Sequence, residues 1–266
     1  MRKIELAEIK TIELEILRNF DAFCKANGIQ YYLSNGTLLG AVKYRGFIPW
    51  DDDIDVLVPR RDYERLISLY QDTEKYRLYS LERHDTYAFP FAKLCDITTR
   101  KEETNIDNGT ELGIDIDIFP LDAWENMPNK QHREVKQISF LMLLLGCLKM
   151  KKAVASNSIK RMILLVVMST RKILRRRFVC KLMIRAAKQK PRNATCVGCK
   201  VWPIYGQREI IPTEVFSGVV DVQFEGGVYP APVGYDIYLR SLYGEYSEDP
   251  PIEKQKSHHS FMAYQL

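Results

Sequence analysis

The spacing of apolar residues predicts a helix at the start of the chain. Ile9, Ile16 and Phe20 belong to an apolar series that repeats every three to four residues, which predicts an amphipathic helix over residues 4–27. Gly28 then provides a stop signal of the kind that ends helices. A strand over 29–33 and a short helix over 38–45 are predicted next.

A different pattern, alternation of acidic and apolar residues, begins at Asp53. It predicts a strand over 53–58 with Asp53 and Asp55 on one face, because successive side chains of a strand point to opposite faces. Asp51 and Asp52, which precede this strand, are explained by an ordinary polar turn. Two carboxylates side by side on a strand repel each other unless a cation lies between them.

The same alternation returns in residues 113–122, where Asp115 and Asp117 share a face. One such strand could be an exposed edge, but two in one domain predict a shared metal site with carboxylate oxygens from separate strands. The remaining pattern predicts a helix over 60–71, strands over 77–81 and 87–94, a hairpin around Gly226-Gly227 and a helix over 235–243.

Gly36 and Thr37 lie in a turn between the strand over 29–33 and the helix over 38–45. A strand, a glycine turn and a helix start can direct backbone N–H groups at an anion, although an ordinary tight turn shows the same pattern. Lys93, near the end of a predicted strand, is by itself more typical of a surface lysine than of a phosphate ligand.

Charge is distributed unevenly along the 266 residues. Residues 135–208 contain 18 of the 39 Lys and Arg and no Asp or Glu, which leaves 21 basic residues against 34 acidic ones elsewhere. Apolar runs over 138–148 and 162–168 lie in this basic segment. Three interpretations stay open: core helices with a cationic face, a helix lying on anionic lipid, and nucleic-acid binding, which we do not expect because no nucleic-acid module accompanies the charge.

Several protein classes lack their signatures here. No apolar run approaches the roughly 20 residues that span a bilayer, and P-loop, dinucleotide-binding and α/β-hydrolase motifs are absent. Six scattered cysteines argue against a disulfide framework and for a reducing, cytoplasmic compartment. Cys196 and Cys199 have the spacing of half a zinc site, but without further ligands we interpret them as plain cysteines. His258-His259 lie in a polar tail that is either exposed or a lid.

The order of these motifs resembles the nucleotidyltransferase superfamily related to DNA polymerase β. More narrowly, it resembles the LicD family of phosphocholine transferases. The segments that carry this resemblance are LSNGTLLGAVKYRGFIPWDDDIDVLVPRRDYERL, FAKLCD, GIDIDIFPLD, FEGGVYPAP and YLRSLYGEY. They extend from about residue 30 to 125 and from about 209 to 259, so the basic middle of the chain carries no recognised motif.

The resemblance implies a donor, a metal and an acceptor. The donor would be CDP-choline or a related CDP-alcohol, the metal Mg²⁺ with Mn²⁺ as an alternative, and the acceptor a hydroxyl of a cell-surface glycan or its lipid-linked precursor. Asp53 and Asp55 would bind the metal, and Asp117, preferred to Asp115, would complete that site or take the acceptor proton. The groups implied to contact the donor phosphates are Ser34, Asn35, Gly36, Thr37 and Lys93.

The expected fold class is α+β, a nucleotidyltransferase-like mixed β-sheet flanked by helices with an inserted basic helical region. Residues 1–134 would form the catalytic core, 135–208 the basic insertion, and 209–266 a hairpin and helix that complete the catalytic domain. The resemblance also implies an enzyme peripheral to the inner face of the cell membrane. Transfer of ribitol or glycerol phosphate, and a non-catalytic metal-binding scaffold, stay open as alternatives.

Overall fold

The structure, a computed structural model, describes residues 1–189, 191, 193–255 and 261–266. His258 and His259 lie outside the described residues. The helices are α1 (Leu6–Asn27), α2 (Asn35–Tyr44), α3 (Arg60–Leu69), α4 (Pro128–Lys149), α5 (Ser158–Ser169), α6 (Arg176–Ala187) and α7 (Tyr235–Tyr243). The strands are β1 (Arg2–Ile4), β2 (Tyr32–Leu33), β3 (Asp55–Pro59), β4 (Tyr76–Tyr79), β5 (Ala92–Glu103), β6 (Leu112–Glu125), β7 (Ala194–Gly198), β8 (Ile211–Pro212), β9 (Val219–Phe224), β10 (Gly227–Pro232) and β11 (Phe261–Gln265).

Nine strands of the described residues form one mixed sheet, which confirms the expected α+β class. Its main order is β1-β11-β5-β6-β3-β2; β4 pairs with β5, and β7 pairs with β6 and β8. The β3–β6 pair is parallel, whereas the pairs on either side of it are antiparallel. The parallel pair brings together two segments that lie about sixty residues apart, and these are the segments with the alternating acids.

Helix α1 packs on the sheet through the apolar series that predicted it. Ile16, Leu17 and Phe20 are fully buried, and the helix ends where Gly28 adopts the left-handed conformation (φ 58°). The hairpin of β9 and β10 and the end of α7 before Gly244 also agree with the sequence pattern.

Four predicted boundaries are wrong. The strand predicted over 29–33 begins only at Tyr32. Helix α2 begins at Asn35, not at residue 38, so Gly36 and Thr37 form its first turn instead of a separate loop. Strand β3 begins at Asp55, so Asp53 precedes the strand and does not share a strand face with Asp55. Residues 87–91 are not a strand, because β5 starts at Ala92.

The basic segment 135–208 is helical only in part. Most of α4 and all of α5 and α6 lie in it, but β7 follows and pairs with β6 of the sheet. Helix α4 itself begins upstream of this segment, at Pro128. None of the described helices has the length and apolarity needed to cross a membrane.

Candidate active site

Two acids face each other across the parallel strand pair. The register of β3 and β6 places Asp55 opposite Asp117. Asp55 is the first residue of its strand, and its carboxylate lies next to the start of α2, where Asn35 Nδ2 donates a hydrogen bond of 3.0 Å to Asp55 Oδ2. The backbone N–H of Asp55 donates to Thr37 Oγ1 at 2.8 Å. These bonds fix the first turn of α2 against the acidic strand.

The first turn of α2 also contacts Asp51. A Cβ atom added to Gly36 would lie 2.5 Å from Asp51 Oδ2, so only a residue without a side chain leaves room for this carboxylate. Burial, with a contribution from nearby Asp53, raises the pKa of Asp51 to about 7. Asp51 therefore belongs to the acidic cluster, although the sequence pattern is satisfied by an ordinary turn at this position.

Repulsion within the cluster is visible in the pKa of Asp55. Burial raises this pKa well above its ordinary range, and the charges of Asp53 and Asp117 raise it further. Burial likewise raises the pKa of Asp117 to about 6, although the neighbouring Lys93 lowers it. Three acids whose charges oppose one another in a largely buried site are an environment that a bound cation stabilises.

Lys93 is buried between the acids of β6. Its Nζ atom lies 2.5 Å from Asp115 Oδ2 and also forms an ion pair with Asp117 Oδ1. Lys101 Nζ donates to the other oxygen of Asp115 at 3.0 Å. Despite burial, these two lysines hold the pKa of Asp115 below its usual range.

This arrangement distinguishes the two acids of β6. The side chain of Asp115 is 2% exposed and paired with two ammonium groups, whereas that of Asp117 is 24% exposed and lies opposite Asp55. The geometry therefore favours Asp117 as the third acid. Lys93 already has two carboxylate partners, and its contact with a donor phosphate stays a prediction.

Asp53, Asp55 and Asp117 fit a divalent cation such as Mg²⁺ by donor type, because hard cations take carboxylate oxygens. Their mutual repulsion, which raises the pKa of Asp55, also favours a bound cation. No three His, Cys, Asp or Glu side chains in the described part of the chain are already arranged as metal ligands. One carboxylate oxygen of Asp117, Oδ1, is already paired with Lys93.

The start of α2 has the properties of an anion site. Ser34 occupies the N-cap, yet its hydroxyl makes no capping bond and has no hydrogen-bond partner among the described residues. Gly36 and Thr37 lie in the first turn, where backbone N–H groups have no partner within the helix. The helix dipole adds partial positive charge at this end.

Sequence reasoning missed Glu13 of α1. This side chain is buried, and its Oε2 atom has no hydrogen-bond partner in the described structure. Burial raises its pKa well above the ordinary range; Asp53 and Asp115 raise it further, whereas Lys101 lowers it. The available signal was an acid at a position of the apolar series, four residues before Leu17.

Sequence reasoning also missed a group of tyrosines from the last third of the chain. Tyr238 donates a hydrogen bond of 3.0 Å to Asn35 Oδ1, and the hydroxyl groups of Tyr205 and Tyr243 lie 3.1 Å apart. Burial raises the pKa of Tyr205 and Tyr243, and the charge of Asp55 contributes to both shifts. These aromatic side chains therefore border the acidic cluster.

Cys199 lines a small cavity together with Asn35 and Tyr238, whereas Cys196 lies on β7. Both thiols are buried, and none of the six cysteines forms a disulfide in the described structure. Burial raises the pKa of Cys199. We assign no chemistry to either thiol.

Comparison with known proteins places the site in a family. Residues 28–141 match the family described as "LicD/FKTN/FKRP, nucleotidyltransferase domain". The chain is 32% identical over 279 aligned positions to the lipopolysaccharide cholinephosphotransferase LicD of Haemophilus influenzae, with all of both chains covered. Shorter matches include an uncharacterized protein of Rickettsia typhi, 33% identical over 63 residues (23% of this chain and 20% of that protein). Another is mannosyltransferase regulator 4 of Saccharomyces cerevisiae, 45% identical over 56 residues (21% of this chain and 5% of that protein). The chain belongs to the LicD family.

Proposed function

We propose that this protein transfers phosphocholine from CDP-choline to a hydroxyl of a cell-surface glycan or its lipid-linked precursor and releases CMP. Asp55 and Asp117, held opposite each other on parallel strands, carry the proposal because they supply two acids of a phosphoryl-transfer site. The relative named as a lipopolysaccharide cholinephosphotransferase, similar along its whole length, supports choline phosphate and a glycan as the transferred group and the acceptor.

The reaction exchanges one phosphorus–oxygen bond for another. The acceptor hydroxyl oxygen attacks the phosphorus that bears choline, and the bond from this phosphorus to the bridging oxygen breaks, so CMP leaves with the electron pair. Asp117, whose carboxylate is partly exposed, would complete the cation site or take the hydroxyl proton. The adjacent ammonium of Lys93 holds this carboxylate in the site.

A divalent cation, held by Asp53, Asp55 and Asp117, would supply charge neutralisation for the donor phosphates and the transition state. Asn35 orients Asp55 through a hydrogen bond to its carboxylate. The first turn of α2 offers backbone N–H groups to the diphosphate, as helix starts do in other phosphate sites.

The tyrosines beside the cluster support choline as the alcohol. A quaternary ammonium group is recognised by aromatic faces, whereas ribitol and glycerol need hydrogen-bonding groups. Tyr205 and Tyr243 present two rings with centroids 5.3 Å apart in an edge-to-face pair. Their hydroxyl groups hydrogen-bond to each other, and the two rings add aromatic surface beside the acidic cluster.

The test is metal-dependent release of CMP from CDP-choline, CDP-ribitol and CDP-glycerol, each with an acceptor glycan. We expect release from CDP-choline with Mg²⁺ or Mn²⁺, no release with EDTA, and loss of at least a thousandfold in the Asp53→Asn, Asp55→Asn double variant. Asp221→Asn, an exposed substitution on β9, is the matched control and should release CMP at the parent rate. Release from CDP-ribitol or CDP-glycerol alone would reassign the transferred alcohol, and full activity of the double variant would refute the metal site.

A further inference from the structure

Helix α5 is folded with its apolar side towards solvent. Its large side chains Ile159, Met162, Ile163, Leu165 and Val166 are each more than half exposed. Leu164 is the helix's only buried residue in the described structure. A surface helix of a soluble domain shows the reverse pattern, with the apolar stripe against the core.

Four of these residues lie on one face. Ile159, Met162, Ile163 and Val166 have the spacing i, i+3, i+4 and i+7, which aligns side chains along one side of a helix. We name this set the α5 face. It is continued in the following turn by Ile173, which is 90% exposed. A contiguous apolar surface of this kind marks a site of interaction.

The charge around the α5 face identifies the partner. Residues 149–177 contain ten Lys and Arg and no Asp or Glu. Lys160 and Arg161 lie within α5 itself, and Lys172 follows it; all three are exposed. A second copy of the chain would bring the same positive charge against itself. A surface that is both apolar and negatively charged complements this face, and anionic phospholipid is such a surface.

The length of α5 fixes how it would meet a bilayer. Its 12 residues rise about 18 Å, well short of the roughly 30 Å hydrocarbon core. A helix of this length with an apolar face and flanking lysines lies in the plane of the interface.

The α5 face is also connected to the candidate active site through α4. Helices α4 and α5 pack against each other. At the end of α4, Lys149 Nζ lies 2.9 Å from the centre of the Phe89 ring, and Lys93 Nζ lies 5.3 Å from the same centre. One aromatic ring therefore separates the helix pair from the lysine of the acidic cluster.

We propose that the α5 face docks on an anionic phospholipid surface, with Ile159, Met162, Ile163 and Val166 in the acyl boundary and the exposed Lys160, Arg161 and Lys172 at the head groups. This binding is independent of the transfer reaction and needs neither donor nor metal. If the proposed function also holds, docking brings the acidic cluster to the surface that carries lipid-linked acceptors.

The experiment is co-sedimentation of the full chain with vesicles of phosphatidylcholine alone or with 30% phosphatidylglycerol, at about 50 and 500 mM salt. We expect binding to the anionic vesicles at low salt, binding at least tenfold weaker to phosphatidylcholine, and weakening at high salt. Ile163→Asp with Val166→Asp should reduce binding at least tenfold. Both positions are exposed, so the fold should persist, which circular dichroism checks.

The matched control is Leu6→Asp with Leu69→Asp, which changes the net charge equally at two exposed apolar positions outside the basic segment. It should bind as the parent does. Absence of binding to anionic vesicles at low salt, or an equal loss in both pairs, would overturn the proposal. So would a concentration-dependent dimer in ultracentrifugation that the Ile163→Asp, Val166→Asp pair abolishes without vesicle binding, since the occupant would then be a second copy. CMP release from soluble donor is unaffected by these outcomes, so failure here leaves the proposed function standing.

Discussion

The contact between Gly36 and Asp51 predicts that a single methyl group disables the site without unfolding the protein. In Gly36→Ala the new Cβ would lie 2.5 Å from Asp51 Oδ2. The next nearest neighbours, Asp51 Cγ and Ile48 Cδ1, are 3.7 and 3.9 Å away, at ordinary contact distances. Gly36 does not have a positive φ, so alanine is compatible with its backbone. The strain therefore falls on the carboxylate of Asp51 alone.

The size of the effect follows from that distance. An unstrained contact needs about 3.4 Å, so the Asp51 oxygen has to move by about 1 Å. A misplacement of this size in a catalytic site costs roughly a hundredfold in rate, or about 2.7 kcal/mol of transition-state stabilisation. Stability should change in the opposite direction or not at all, because alanine is favoured over glycine in a helix by up to about 1 kcal/mol.

The assay is kcat/KM for CMP release together with thermal unfolding, and Gly146→Ala provides the control. Gly146 lies in α4, and a Cβ placed there would meet nothing within 4 Å. We expect Gly146→Ala to raise Tm slightly with unchanged activity, whereas Gly36→Ala loses activity at an equal or higher Tm. Activity of Gly36→Ala within twofold of the parent would refute the reasoning, and so would a fall in Tm large enough to explain the loss.

Three further predictions concern buried charges. Arg60 Nε lies 2.7 Å from Asp122 Oδ1, and Asp122 is buried. Arg60→Met leaves this carboxylate without its ion-pair partner and should lower the free energy of unfolding, measured in urea, by about 3 kcal/mol. Adding Asp122→Asn should recover part of that loss. Burial raises the pKa of Glu209 to about 8, so its contribution to stability is full below about pH 4.5 and is lost as pH rises towards 8. Glu209→Gln should flatten the decline of Tm over this range. An unchanged slope would contradict the raised pKa of Glu209. Asp117→Asn should raise the Mg²⁺ concentration needed for half-maximal activity more than Asp115→Asn does. Asp115→Asn should lower Tm more, because it leaves both Lys93 and Lys101 without one carboxylate partner. The reverse order in both measurements would exchange the roles of the two acids.

The sequence singles out Asp55 and Asp117 but does not show how these two acids meet. The alternation around Asp55 and Asp117 predicts strands, because period-two patterns are local, and both strands are present. Their parallel pairing is a long-range property, and α3, which follows β3 in the chain, packs against both strands. The position of Asp53 shows the limit of the local argument: the pattern continues through it, but the strand starts at Asp55.

The start of α2 shows a second limit. Gly36 suggests a turn, since glycine is unfavourable inside helices, yet here it is the second residue of one. Its role becomes clear only from Asp51, fifteen residues later, whose carboxylate occupies the space that a side chain would fill. Glu13 also becomes recognisable only from distant residues. The apolar helical pattern indicates a core position for it, but gives no sign of the acids that lie nearby.

The energetics of the acidic cluster explain why a fold would keep it. Burial raises the pKa of Asp51 and of Asp55, and neighbouring acids add to both shifts, so ionising these groups costs folding free energy in the absence of a cation. Lys93 offsets part of this cost at Asp117, but its ammonium is shared with Asp115. Sites that violate the rules of stable packing without local compensation are characteristically functional ones. If the proposed function holds, a divalent cation bound together with the anionic donor would remove this unfavourable term. These residues would then be arranged to favour binding, at a cost to the free energy of folding.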